Sequence, residues 1–338
     1  MENWREKALA GFADLDTVLN KPATTSIEAC RIVNRSLPGF RIDSDFPPMN
    51  FSQLMASTRG TCDDMVTLAV FSMRALGIPV TFDFTPRWIN RPSGHSWNTV
   101  RDSTGNHIPF MGTERNPYEQ HPGVLYRTWL KSKVYRKTFA IQQNIRTEDR
   151  NIPPLLEEHK NMKDVSVEYT GCTDTITVCL KYPPVTPTGY VYLAFEQDHQ
   201  LYPIAWAKDS GETCCFPSTG RNAIYFPVYY ANNRQTPAGD PIWLDNDGNR
   251  MILSPDSPDT LLTLGKTDPN DDMSVGHSYE LFYWTKDGWT SLGKQTATDS
   301  SSLQYHAPLQ ALLYIENLTL RKKGRIFFVT PGHEIHWR

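Results

Sequence analysis

Arg59-Gly60-Thr61-Cys62-Asp63-Asp64-Met65 opens an apolar run that ends in Leu76-Gly77-Ile78-Pro79, and Gly94-His95-Ser96-Trp97-Asn98 follows it. The run decides the local fold. Met65, Leu68, Ala69, Ser72, Met73 and Leu76 recur at helical spacing, which predicts one helix over Cys62–Leu76. Thr61 suits its N-cap, with Asp64 as a short reciprocal acceptor in a capping box. Gly77 supplies a left-handed C-terminal cap, and Pro79 prevents the helix from continuing. Cys62 is then the first helical residue, where free N–H groups and the helix dipole favour a thiolate and can hold an oxyanion. Asp63 and Asp64 oppose this, because carboxylates beside a thiol raise its pKa. His95 is the candidate imidazole to offset them, and a cysteine with a histidine is a nucleophile–base pair in one class of thiol enzyme. The bland reading has both residues structural, the thiol as a small buried apolar group and the imidazole as a satisfied polar one.

Outward from this stretch, the first 140 or so residues read as mixed α and β. Helical patterns cover about 2–19 and 24–36, the second entered by Thr24-Thr25-Ser26, and Phe46-Pro47-Pro48-Met49 reads as loop. Val80–Phe84 and His95–Arg101 alternate as strands, and Asp102-Ser103-Thr104-Gly105-Asn106 turns the chain into His107–Met111. Leu130–Phe139 reads as strand or connector, and Asn151-Ile152-Pro153-Pro154 as a linker. Beyond it strands dominate: Val165–Tyr169, Thr175–Leu180, Tyr190–Phe195, Ala223–Tyr230 and Tyr279–Trp284, with turn signals at Pro237-Ala238-Gly239, Asp247-Gly248 and Asp287-Gly288. Many short strands with regular turns predict two small β-sandwiches, divided near Pro255–Pro269. The expected domains are 1–150, 151–260 and 261–338, with no sequence repeat between the two β segments.

The 338 residues are ample for cores without staples. A net charge of −3 offers no basic field, so nucleic acid is not an expected partner. No segment reads as a membrane span, and the charged start Met1–Lys7 lacks the apolar stretch of a secretion signal. Either the chain is cytosolic or a leader precedes it. Among the six cysteines, Cys172 and Cys179 are spaced to face each other across a hairpin and Cys214-Cys215 is vicinal; buried free thiols are the other reading. His333-Glu334-Ile335-His336 has the wrong spacing for a zinc-protease helix, and Asp245–Asn249 reads as a hairpin turn rather than a calcium loop. No metal and no cofactor are expected. Trp206, Trp243, Trp284, Trp289 and Trp337 leave glycan stacking open beside a core role, while Trp88 and Trp97 suit the walls of a groove.

Gly60-Thr61-Cys62-Asp63-Asp64, Arg74-Ala75-Leu76-Gly77-Ile78-Pro79-Val80 and Gly94-His95-Ser96-Trp97-Asn98, in that order, resemble the core of the transglutaminase-like superfamily. The resemblance spans roughly residues 50–115, and the whole chain is similar to large transglutaminase-domain proteins of gut Bacteroidetes. It implies an α+β papain-like N-terminal domain followed by the β-sandwich region, and acyl transfer or hydrolysis at peptide or isopeptide bonds. Peptide, protein or cell-wall peptide would be the substrate, and the location would be the periplasm or cell surface. Cys62 would be the nucleophile and His95 the general base. The family's third member is an Asp after the next strand, and Met111 stands at that place here. Glu114 is the first stand-in, with Asn98 and Asp102 behind it. The alternative function is a catalytically degenerate domain kept as a glycan- or protein-binding module.

Overall fold

The computed structural model describes residues 3–15, 19, 24–43, 47, 49–57, 59–119, 129–138, 140–142, 152–298 and 302–338. The Phe46–Met49 loop, the end of the first helical pattern and the linker at Asn151 lie partly outside them. The chain forms two compact units, Met1–Arg146 with Glu158–Cys172 and Thr147–Glu157 with Thr173–Arg338.

The first unit holds helices α1 (Trp4–Gly11), α2 (Ser26–Ser36), α3 (Phe51–Ala56) and α4 (Cys62–Ala75). A short parallel pair, β1 (Arg41–Ile42) and β2 (Arg59–Gly60), precedes α4. The main antiparallel sheet runs in the order β5 (His107–Phe110), β4 (His95–Arg101), β3 (Val80–Thr85), β6 (Tyr135–Lys137) and β7 (Met162–Asp164). Helix α4 forms where its sequence signals place it. Thr61 Oγ1 accepts the Asp64 N–H at 3.2 Å and Asp64 Oδ2 accepts the Thr61 N–H at 2.9 Å, so the capping box closes with an aspartate. At the other end the Gly77 and Ile78 N–H groups bond the Arg74 and Met73 carbonyls. Gly77 takes φ +79°, which completes a Schellman cap. The apolar face of α4 (Val66, Leu68, Ala69, Val70, Met73) packs with Val80, Phe82 and Val100 of the sheet in the unit's main core.

Register sorts the sheet's two faces. Phe82 pairs with Asn98 and Phe84 with Ser96, and these face α4; Asp83 pairs with Trp97 and Thr85 with His95 on the other side. Val165–Tyr169, expected as strand, is instead a single 3-10 turn over Ser166–Glu168. The Asp164 carboxylate accepts both the Ser166 N–H and its hydroxyl, so local side-chain bonds bend the chain despite its alternating letters.

The second unit carries one strand connectivity twice. In the first copy Gln200–Lys208, Tyr190–Gln197, Ala223–Ala231, Ile242–Leu244 and Arg250–Ile252 lie in that order. Arg234–Pro237 pairs with Ala223–Ala231, and Asp174–Cys179 pairs separately with Thr213–Thr219. In the second copy Gly288–Thr296, Ser278–Thr285, Leu312–Asn317, Phe327–Val329 and Ile335–Trp337 repeat the order. Lys322–Lys323 pairs with Leu312–Asn317, and Asp259–Leu264 pairs separately with Leu303–Pro308. Lys266–Asp268 with Asp271–Asp272 is an insertion in the second copy. Gly239 and Gly324 stand at matching places, after the short branch strand. A Cβ on either would meet a main-chain carbonyl, of Cys179 and of Thr267 respectively. The duplicated topology is invisible as sequence identity because it rests on alternation, turns and such close approaches.

All six cysteines are free thiols. Cys172 is buried in the first unit and donates to the Lys131 carbonyl, whereas Cys179 is exposed in the second unit opposite Thr213. They therefore do not face each other across a hairpin, and Cys179 and Cys215 are not buried. Among the described residues no helix is long and apolar enough to cross a membrane, and no group of three or more His, Cys, Asp or Glu could hold a metal.

Candidate active site

Cys62 is the first residue of α4 and is half-buried. The main-chain N–H groups of Ser96 and Asp63 act on its sulfur in favour of the thiolate. Its S–H points to Asp63 Oδ1 at 3.8 Å, and the same carboxylate oxygen accepts the Ser96 hydroxyl at 2.6 Å. Strand β4 makes this contact where β5 has stopped: β5 pairs with Asn98–Arg101 and leaves His95–Trp97 beyond its end. The Ser96–Asp63 bond thus brings the start of β4 to the first turn of α4, and the two motifs meet. Burial pushes the Cys62 thiol up from its ordinary pKa and Asp63 adds to the rise, while the Ser96 and Asp63 N–H groups offset part of it. The resting group is a thiol, not the thiolate that the helix dipole alone would favour.

His95 is half-buried at the start of β4, on the sheet face opposite Ser96. Its ring lies 6.0 Å from Trp88 and 6.2 Å from Trp97, with interplanar angles of 29° and 32°. Trp88 and Trp97 are 6.4 Å apart at 19°. Met111 is 1% exposed and packs in the same small core as Trp88, Trp97, Met65, Val134 and Tyr169. The position where the resembled family has its acid is thus apolar and lies among the rings that flank His95. Glu114 is exposed on the turn that joins Met111 to Arg115. Asn98 is buried and bonds the Val66 and Thr81 carbonyls and the Gly112 N–H, so its amide is a strut. Asp102 stabilises its own hairpin turn, accepting from Thr104 and Asn106.

Behind Trp97 lies a charged group that the sequence reading missed. Asp83 is fully buried and holds Arg136 through two bonds of 2.7 and 2.8 Å. It also accepts the Tyr169 hydroxyl at 2.7 Å, and Tyr169 in turn accepts the Trp97 indole N–H at 2.8 Å. Glu168 covers the other edge of Arg136. The signal was a carboxylate on the inner face of Val80–Thr85; its partner required the register Asp83 to Arg136, which no local pattern carries. Lys131, 2% exposed, has its ammonium 5.7 Å from the Trp88 indole centre.

Residues 18–111 match the family model described as the Transglutaminase-like superfamily. The N-terminal part is a transglutaminase-like domain. The match takes in Cys62 and His95 and ends on Met111. No curated protein matches the chain. The remainder is helix-poor and built of sheets.

Proposed function

We propose that the chain is a thiol enzyme of papain-like architecture acting on amide bonds, with Cys62 as nucleophile and His95 as general base. The observation that carries the reading is the Ser96 hydroxyl bonded to Asp63 Oδ1 at 2.6 Å, which ties the residue that follows His95 to the residue that follows Cys62. The transglutaminase-like match over both residues supports it. Because burial and Asp63 keep the thiol protonated at rest, proton transfer belongs to the reaction itself. His95 takes the Sγ proton as sulfur bonds to the substrate carbonyl carbon, then delivers it to the departing amine. The acyl group passes from sulfur to water or to a second amine. Asp64 N–H is held by Thr61, so the Cys62 and Asp63 N–H groups at the helix start are the donors assigned to the oxyanion. Peptide, protein or cell-wall peptide is the substrate in this proposal. Export to the periplasm or cell surface belongs to it too, and rests on the resemblance alone.

A second reading, a degenerate domain kept for binding, is favoured by Met111, an apolar group where the resembled family has an acid. Trp243 packs on Phe328, Trp284 on Phe226, Trp289 on Tyr314 and Trp337 on Phe327, which supports a packing role for these four over glycan stacking.

Alkylation of Cys62 by iodoacetamide across pH 5–10, mapped by mass and repeated in His95→Ala, separates the readings. Loss of His95 slows an activated pair strongly at neutral pH. A rate indifferent to His95 would sink the enzyme reading.

A further inference from the structure

A cavity of about 300 Å³ lies in the first unit between α4 and strands β3 and β6. That volume is about ten times a water's share of the liquid and matches the smaller ligand pockets of proteins. Its apolar wall is made by Val70 and Phe71 of α4 and Phe82 of β3. The wall is preformed. Phe71 stacks on Trp4 at 4.7 Å and meets Phe51 edge-on at 6.3 Å, while Phe82 meets Phe84 edge-on at 6.3 Å. Lys137 of β6 and Glu158 add one charge of each sign to the lining, with Nζ and Oε2 2.9 Å apart. The register that pairs Lys137 with Phe82 sets the ammonium 4.5 Å from the Phe82 ring centre. Thr67 of α4 supplies a hydroxyl that makes no hydrogen bond among the described residues.

The lining fixes what fits. Two phenyl rings and a valine call for an apolar body. The Lys137 and Glu158 side chains are 34% and 62% exposed, so their ion pair is worth little by itself and either partner is free to take a ligand's charge. Because the two charges are in contact, a ligand that answers both must carry its own carboxylate and ammonium side by side. One α-carbon does this, and the two ends of a peptide do not. We propose that the cavity is a binding site for a free apolar α-amino acid, with its side chain on Val70, Phe71 and Phe82, its carboxylate on Lys137 and its ammonium on Glu158. Four alternating charges then replace two, through charge-assisted hydrogen bonds. The site goes beyond the Cys62–His95 reading and does not rest on it. Thr67 stands five residues after Cys62, about 7.5 Å along the helix axis, and the lining includes neither Cys62 nor His95.

The test is a methyl NMR titration of the full chain with labelled valine, Val70 being assigned by its loss in Val70→Ile. L-phenylalanine is the probe. It is expected to move the Val70 methyls saturably, with a Kd of about 1 mM, while Val228 and Val329 of the second unit stay in place. N-acetyl-L-phenylalanine lacks the ammonium and L-phenylalanine amide lacks the carboxylate, and each is expected to bind about five-fold or more weakly. Lys137→Met and Glu158→Gln alter partly exposed side chains and should each weaken the free amino acid by about five- to ten-fold. Lys137→Met should also stop distinguishing acid from amide, and Glu158→Gln should stop distinguishing the free from the acetylated amine. Val70 methyls that do not move up to about 10 mM probe would overturn the proposal. So would blocked derivatives that bind as tightly as the free amino acid, or a titration unweakened by both substitutions. Because the readout is at Val70, failure of the Cys62–His95 pair in the alkylation experiment leaves this result unaffected, and the reverse holds too.

Discussion

The Ser96 hydroxyl donates to Asp63 Oδ1 at 2.6 Å, tying the strand that begins with His95 to the first turn of the helix that begins with Cys62. One carboxylate therefore does two opposed things. It fixes the meeting of the two motifs, and it raises the thiol it helps to place. Asp63→Asn separates these effects, because the amide oxygen still accepts from Ser96 while the charge is gone. Its Cys62 alkylation profile should move to lower pH, with the rate at pH 7 rising by about three-fold or more. The loss of an acidic residue from the first helical turn should cost only about 0.5 kcal/mol. An unchanged profile would mean that Asp63 does not govern the thiol.

Gly112 tests how tightly the turn after β5 is pressed on α4. A Cβ there would lie 2.5 Å from Ala69 Cβ and 3.0 Å from both Asn98 Oδ1 and the Met65 carbonyl. Two of those atoms belong to main chain or to a buried strut, so the turn must lift. Gly112→Ala should lose about 2–3 kcal/mol in a urea melt. Gly11→Ala, at the end of α1 with nothing within 4 Å of the new methyl, should be neutral or gain up to about 1 kcal/mol.

What was legible in the sequence was local. The α4 boundaries follow from a capping box, a 3.6-residue period and a glycine followed by proline, all within one stretch of chain. His95–Arg101 was legible because its letters alternate as in a strand, although the fold buries residues 96–100 on both faces. Val165–Tyr169 has the same alternation and is not a strand, since Asp164 and Ser166 bond each other's neighbourhood instead of a ladder. The Trp97–Tyr169–Asp83–Arg136 chain was not legible at all. It joins three strands and a turn whose register only the folded sheet defines.

Asp83 and Arg136 form that chain's charged end, at 0% and 8% exposure, so the pair is costly to break and less costly to replace. Asp83→Leu should destabilise by about 2–3 kcal/mol, because Arg136 loses its two bonds to Asp83 and keeps only Glu168, and the Tyr169 hydroxyl loses its acceptor. Arg136→Met should do comparable harm. The double variant Asp83→Leu with Arg136→Met should recover a large part of the sum, read as a coupling in a double-mutant cycle by denaturant melts. Additive losses would show that the two side chains act independently.

Glu196 gives the second unit a pH dependence of its own. Burial raises its carboxyl pKa from 4.5 to about 7, and Asp198 adds to the rise, while the His199 N–H bonded to it at 2.6 Å offsets only part. A carboxyl raised on folding stays protonated in the native state where the unfolded chain has already ionised. Its stabilisation is complete below pH 4.5 and is lost as pH rises through about 7. Glu196→Gln keeps the acceptor for His199 and cannot ionise, so it should flatten this part of the stability curve. At pH 8 it should be more stable than the parent by about 1–2 kcal/mol, after allowing for residual solvent screening of a group not fully buried. At pH 4 the two proteins should melt alike. Denaturant melts at both pH values decide it: a variant less stable at pH 8 would mean that the charged carboxylate is held by its surroundings rather than tolerated.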